Sequence, residues 1–295
     1  MRENGRVTSA TRQPGTPAAA LRPRLIATDL DGTLLRDDKS VSPRTVAALA
    51  AAEEAGIEVF FVTGRPARWM DVVSDHVHGH GLAICGNGAA VVDLHGGPGS
   101  HRFVKVRELA RQNALDAVRQ LRDAAPGTVF AVEQTYGFHQ EPAYPKLHME
   151  TPDNLLPAEA LLAADGPDHD QPVLKILAYH PDLDPDAFLA LARLAVGERA
   201  NVTRSSPSAL LELSGPGVSK ASTLSLCCAE RGISPEEVVA FGDMPNDVEM
   251  LTWAGRSYAM GNAHPDVVAA ASGRTVANNE DGVAVVIEQL LAERV

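Results

Sequence analysis

Short, almost wholly apolar runs recur along this chain, and each one stops at a polar residue. Arg24–Thr28 runs into Asp29, Ile57–Val62 closes on Thr63-Gly-Arg-Pro66, Gly81–Cys85 ends at Gly86-Asn-Gly88, and Val238–Phe241 ends at Gly242-Asp243. Runs this apolar do not suit a sheet with one wet face. They read as strands buried on both sides, the condition of a parallel sheet covered by helical crossovers.

Helix signals lie between the runs. Ser42-Pro43 supplies an N-cap and a proline at the first helical position, and Gly56 stops the segment that follows. Pro66 opens a helix towards Val73. Lys220–Arg231 is helical up to Gly232, Ser234-Pro235 caps a short helix, and Asp247–Ala254, His264–Ala270 and Asp281–Leu291 continue the alternation. The fold class expected is α/β: a Rossmann-like parallel-sheet core.

The texture changes after Gly88. His95–Ser100 is rich in Gly and Pro, a helix is expected near 108–123, and β-like runs follow at Thr128–Glu133, Val173–Tyr179 and Asn201–Arg204. One short helix is expected within 155–163 and another over Pro185–Val196. This mixture reads as an inserted α+β cap with one open face. The division expected is therefore a disordered lead-in over 1–23, a core made of 24–86 and 209–295, and a cap over 87–208.

Composition narrows the function classes. The 295 residues carry 26 Lys+Arg against 38 Asp+Glu, a formal charge of −12. That balance argues against nucleic acid or a membrane surface as a partner, because both need positive potential. Cys85, Cys227 and Cys228 have no metal-ligand spacing, and the adjacent pair is poorly placed to form a disulfide. Free thiols and no apolar run of membrane-spanning length lead to the expectation of a cytoplasmic protein.

The strand ends carry the chemistry. Asp29 and Asp31 lie in DLDGT, Thr63, Gly64 and Arg65 in TGR, and Asp243, Asn246 and Asp247 in GDMPND, with Lys220 at a helix start between them. Ligands of parallel α/β sheets bind beyond the carboxyl ends of the strands, so these segments can meet in one crevice. Several carboxylates packed together need a cation, and Mg2+ suits oxygen ligands and phosphate. Thr63, Lys220 and the amides of the Asp31–Leu34 turn can then hold phosphoryl oxygens. In extended backbone, Asp29 and Asp31 point to the same side. One can attack phosphorus while the other reaches the leaving oxygen. A lone DxD, or an Asp before a helix, says little; four motifs in one order say much more.

This ordered set resembles the haloacid dehalogenase-like hydrolase superfamily in its phosphatase branch. Gly217–Lys220, GDMPND, Met260-Gly-Asn262 and Asn278–Gly282 resemble its Cof-type group with a C2B cap. The resemblance implies an Mg2+-dependent phosphatase acting on small phosphorylated metabolites, sugar phosphates among them, through an aspartyl-phosphate. It makes Asp29 the nucleophile and Asp31 the proton donor and later the base. Asp29, the Asp31 carbonyl, Asp243 and Asp247 become the metal group, while Thr63 and Lys220 hold the phosphoryl and Asn246 orients the lysine or phosphate. Ala221 departs from the glycine usual after that lysine and leaves Lys220 intact.

Other residues admit two readings. Arg65 can meet phosphate or lock a loop through a carboxylate. Asn87 can lie near substrate or only fill a tight turn. In the cap, Glu133, Tyr136, His139, Glu141, His148, Lys175, Arg204 and Ser205 are polar candidates without a motif. A noncatalytic phosphometabolite-binding protein is the alternative function. A receiver-type signalling domain shares the acids, Thr and Lys, but Asp31 as a general base would shorten the life of its phosphate.

Overall fold

The computed structural model describes residues 22–74, 81–147 and 151–293. Five strands come first: β1 (Leu25–Thr28), β2 (Glu58–Val62), β3 (Leu82–Cys85), β4 (Ala90–Asp93) and β5 (Arg102–Val106). Six follow: β6 (Val129–Gln134), β7 (Phe138–Gln140), β8 (Asn154–Leu155), β9 (Val173–Tyr179), β10 (Asn201–Thr203) and β11 (Leu210–Ser214). The last three are β12 (Val238–Gly242), β13 (Arg256–Ala259) and β14 (Gly273–Arg274).

They form two sheets. One has eight strands in the order β14-β13-β12-β1-β2-β3-β4-β5, and the other six in the order β10-β11-β9-β6-β7-β8. From β14 to β3 the first sheet is parallel; β4 and β5 are added antiparallel. The fold is the expected α/β core, with a mixed rather than wholly parallel sheet.

Alternation along the core strands buries both faces. Ile26, Val59, Phe61, Val239 and Phe241 pack with Leu49 and Ala52 of the helix Pro43–Glu54 and with Val283 and Ile287 of Gly282–Ala292. Leu25, Ala27, Phe60, Val62 and Ala240 face the other way, onto Leu224 and Cys228 of the helix Lys220–Glu230 and onto Met250 and Val267. Two apolar layers explain why these strands have no polar alternation. Truncating one central side chain, such as Phe60→Ala, costs about 3–5 kcal/mol.

The second sheet is different. Phe130, Val132, Ile176, Ala178, Leu211 and Leu213 form its packed face, against Ala117, Val118 and Leu121 of Arg111–Ala124 and Phe188 and Ala192 of Pro185–Val196. The alternate positions look towards the core.

Sheet membership shifts both edges of the expected insertion. The Gly/Pro-rich stretch after Asp93 is a hairpin turn that joins β4 to β5, so the first sheet continues to Val106 instead of ending near 86. Leu210–Ser214, expected in the core from residue 209, pairs with β9 and β10 in the second sheet. The helix expected after Pro66 is a 3-10 turn at Ala67–Trp69 and a short helix at Asp71–Ser74. The helix expected within 155–163 is confined to Ala158–Leu161, because Asn154–Leu155 pairs with β7. Most of the lead-in lies outside the described residues. Among those described, no helix is long and apolar enough to cross a membrane.

Candidate active site

The carboxyl ends of β1, β2 and β12 open into a cavity of about 810 Å3 between the two sheets, lined by Asp29, Asp31, Thr63, Gly64, Arg65, Asn246 and Asp243 among others. Local signals put the polar groups there. Asp29 is held at the strand end by its N–H on the Phe241 carbonyl, at 3.1 Å. Lys220 begins its helix because Ser219 caps it: the Ser219 hydroxyl accepts from the Ser222 N–H and the Ser222 hydroxyl accepts from the Ser219 N–H.

Lys220 is buried and bridges two acids. Its ammonium donates to Asp29 Oδ1 at 2.5 Å and to Asp247 Oδ1 at 2.6 Å. The other Asp247 oxygen accepts the N–H groups of Asp243 and Met244, at 3.0 and 3.1 Å. Asp247 therefore fixes both the lysine and the turn that carries Asp243.

Asp29, Asp243 and Asp247 form a buried group, with one oxygen of each within 4.8 Å of the others. Burial pushes the Asp29 carboxyl well above its ordinary range; Lys220 opposes this, and the charges of Asp247 and Asp243 add to it. Burial and then Asp247 push Asp243 up to about 7, against the pull of the Thr33 hydroxyl and Lys220. A donor set made only of oxygen, short of one positive partner, fits a hard divalent cation. Gly32 lets the preceding loop close on this group: its φ is +78°, and a Cβ there would lie 2.2 Å from Asp243 Oδ2. Thr33 Oγ1 donates to the other Asp243 oxygen at 2.9 Å.

Asp31 has other partners. Strand β1 ends at Thr28, so Asp29 and Asp31 lie just beyond it, and both line the cavity. Asp29 turns to the lysine, while Asp31 receives Arg65 and the Lys39 ammonium, the latter at 2.9 Å. Burial alone would raise the Asp31 carboxyl, but Arg65 and then Lys39 outweigh it and bring it down to about 2. Arg65 thus takes the carboxylate-locking alternative.

The remaining motif residues meet at the seam with the second sheet. Thr63 is buried and its hydroxyl accepts the Arg65 N–H at 3.1 Å. The Gly64 carbonyl accepts the Lys175 ammonium at 2.6 Å. Asn87 adopts the left-handed conformation, φ +55°, and is also bonded across the seam, donating to Glu212. Its carbonyl oxygen accepts from Asn246 Nδ2 at 3.0 Å, so Asn246 here orients Asn87 rather than Lys220.

Residues 26–287 match the haloacid dehalogenase-like hydrolase family. The chain belongs to the haloacid dehalogenase-like hydrolases. Within them it falls in the Cof-type phosphatase group. Its relatives include the Bacillus subtilis 5-amino-6-(5-phospho-D-ribitylamino)uracil phosphatase YitU, 28% identical over 89% of this chain and 96% of that one. An HMP-PP phosphatase of Citrobacter koseri is 28% identical over 83% of this chain and 87% of its own length. A solved haloacid dehalogenase-like hydrolase from B. subtilis superposes with a TM-score of 0.76, at 26% identity, covering 90% of this chain and 99% of that chain.

The polar candidates of this hydrolase's cap separate by position. Glu133, Lys175 and Ser205 line the cavity. Glu141 is turned into its own layer, on Arg122 and the Phe130 and Ala158 N–H groups, and Arg204 is engaged by Asp186 and the Ser206 carbonyl. His139 is buried between Gln134 and Asn154, and Tyr136 stands exposed, edge-on to Phe103. His148 lies outside the described residues. Arg68 and Glu212, which belong to no sequence motif, also line the cavity. Glu212 could have been found as the one acid inside the apolar run Ala209–Leu213; Arg68 has no comparable signal. The motifs after Met260 support the loop behind Asp31: Asn262 Nδ2 donates to the Gly32 carbonyl and Asn278 Nδ2 to that of Leu35.

Proposed function

We propose that this hydrolase is an Mg2+-dependent phosphomonoesterase of small phosphorylated metabolites, sugar phosphates among them, with Asp29 as its nucleophile. The observation that carries the reading is the Asp29 carboxylate, buried at the floor of the cavity and held by Lys220 beside Asp243 and Asp247. The core expected at 24–86 and 209–295 gains the hairpin of β4 and β5 and gives up β11 to the second sheet, and the segment between is the cap that selects substrate.

Asp29 attacks phosphorus, and the bond from phosphorus to the leaving oxygen breaks as Asp31 gives that oxygen a proton. Water then attacks the aspartyl-phosphate, Asp31 takes the proton from it, and the bond between phosphorus and the Asp29 oxygen breaks to free phosphate. Splitting one displacement into two makes each easier, and phosphoryl transfer depends mainly on alignment and charge neutralisation. Lys220 and Thr63 supply part of that neutralisation. Mg2+ held by Asp29, Asp243, the Asp31 carbonyl and, indirectly, Asp247 supplies the rest when bound. Held by Arg65, Asp31 is an anion, the form that takes a proton in the second step; the first step requires it to leave Arg65 protonated.

Purified protein with Mg2+ and a panel of phosphate esters is expected to release phosphate, and Asp29→Asn to abolish turnover. Full activity in Asp29→Asn sinks the nucleophile assignment. Tight ester binding with no hydrolysis anywhere in the panel points to the binding-protein alternative.

A further inference from the structure

The chain crosses between the two sheets twice, and one side chain joins the crossings. The outgoing one leaves β5 at Val106 and meets the second sheet where the Leu109 N–H donates to the Val173 carbonyl, at 2.8 Å. The return leaves β11 at Ser214 and reaches the helix Lys220–Glu230 through residues 215–219. The two lie against each other: a Cβ at Gly215 would come within 2.6 Å of the Glu108 carbonyl oxygen.

Arg107 stands on the outgoing crossing, with its own N–H on the Ala89 carbonyl at 2.7 Å. Its guanidinium spans three acceptors. Nη2 donates to the Gly217 carbonyl of the return crossing at 3.1 Å. Nη1 donates to the Ser222 hydroxyl at 2.7 Å and to the Thr223 hydroxyl at 2.6 Å. Ser222 Oγ also accepts the Ser219 N–H at 2.9 Å and donates to the Gly217 carbonyl at 2.8 Å, so its capacity is fully used. Ser219 and Ser222 are the capping pair that starts the helix at Lys220. Thr223 Oγ1 donates onward to the carbonyl of Gly88, the neighbour of Asn87, at 2.8 Å.

Charge does not explain this placement. No carboxylate is among the described contacts of Arg107, and burial disfavours its charged form. A cation at the first turn also faces the positive end of the helix dipole, where Lys220 already stands. What the guanidinium supplies is geometry, a planar fork that fixes several acceptors at once. Arg107 is not among the described residues that line the cavity, so it acts through the groups it holds.

We propose that Arg107 is a positioning residue for this reaction: by tying both crossings to the first turn of the helix, it sets where the Lys220 ammonium stands between Asp29 and Asp247. Its kinetic consequence rests on the phosphatase reading above; the seating of Lys220 does not. Lys220 is buried in a close-packed interior, which transmits a shift of the helix start to the ammonium. A misplacement of about 1 Å at a reacting centre lowers a rate by about a hundredfold.

The test assays the full chain with Mg2+ and p-nitrophenyl phosphate. Arg107→Met is expected to lower kcat at least about tenfold and to leave KM within about twofold, because no cavity contact is lost. Arg107→Lys should recover little, since one ammonium cannot span the three acceptors. Ser222→Ala should lower kcat less. Added to Arg107→Met, it should bring no more than about a twofold further loss, because both act on one helix start. Gly56→Ala, where a Cβ meets nothing within 4 Å, controls for instability alone and should keep wild-type kcat. The NMR resonance of the Lys220 ammonium needs no turnover. It should shift or broaden in Arg107→Met and stay in place in Gly56→Ala. Wild-type kcat in Arg107→Met, an unmoved Lys220 resonance, or an equal loss of kcat in Gly56→Ala overturns the proposal. Where Arg107→Met does not fold, Arg107→Lys and Ser222→Ala carry the same readouts, and wild-type values in both overturn it. If the wild type hydrolyses no ester and the resonance still moves, the phosphatase reading fails and the seating of Lys220 stands.

Discussion

Arg65 grips Asp31 with two parallel hydrogen bonds, Nε to Oδ2 at 2.6 Å and Nη2 to Oδ1 at 2.7 Å. Paired in this way, the resting Asp31 carboxyl is held below its ordinary range. The folded carboxyl lies at about 2, below its unfolded value, so the pair adds stability that is complete above about pH 4 and is lost as pH falls through about 2. Arg65→Met should therefore be less stable than wild type at pH 7, by under about 1 kcal/mol because the site is partly exposed. The gap should close towards pH 2. Urea unfolding at pH 7 and pH 3 checks this, and a gap that widens in acid contradicts it.

Lys220 is the hub of the buried charges. Lys220→Met would strand Asp29 and Asp247 without their shared cation, at a loss of about 3–5 kcal/mol of stability. Turnover should fall about a hundredfold or more, since a preorganised positive charge beside the proposed nucleophile Asp29 disappears. Lys220→Arg should recover part of the stability but little of the rate, because a planar fork cannot replace a point charge between two oxygens. Denaturant melts and kcat on the three proteins decide the matter; wild-type kcat in Lys220→Met would remove the lysine from the mechanism.

Metal binding should depend on pH in a fixed direction. Asp243 is raised to about 7, so between about pH 4 and pH 7 the folded, metal-free protein holds a proton that the unfolded chain has lost. Its metal-free stability consequently falls as pH rises through that window. Mg2+ must displace the proton, so it binds weakly at pH 5 and well at pH 8. At a hundredfold excess over Kd it adds about 2.7 kcal/mol, an increase of about 4 °C in Tm for a chain of this size. Thermal melts in Mg2+ against EDTA at both pH values should show the larger shift at pH 8; equal shifts would falsify the assignment of Asp243 as a ligand.

Two glycines separate backbone strain from damage to the site. Gly32 and Gly56 share a φ of +78°, but a Cβ at Gly56 meets nothing within 4 Å, whereas one at Gly32 collides with Asp243. Gly56→Ala should cost about 1–2 kcal/mol of stability and leave kcat unchanged. Gly32→Ala should cost more and lower kcat at least tenfold, by displacing the Asp243 carboxylate. Similar kcat losses in the two variants would mean that Asp243 does not need its present position.

The apolar runs at Leu25–Thr28, Ile57–Val62 and Val238–Phe241, with their helix caps, determined by themselves that this chain builds an α/β sheet with Asp29, Thr63 and Asp243 at its strand ends. Burial on two faces and capping are satisfied within a few residues, so they leave a local record. Partner choice leaves none. Lys220 lies 191 positions from Asp29, and Arg65 lies 34 from Asp31, so only packing decided that the lysine would serve Asp29 and the arginine Asp31. The same holds for sheet membership at β4, β5 and β11, where hydrogen-bond register with distant strands overrides a change in composition. It holds for the cap as well: Glu133, Lys175 and Glu212 are lone polar residues on three strands until sheet pairing sets them on one face. Folding energy is shared between near neighbours and remote ones, and only the near share can be read along the chain.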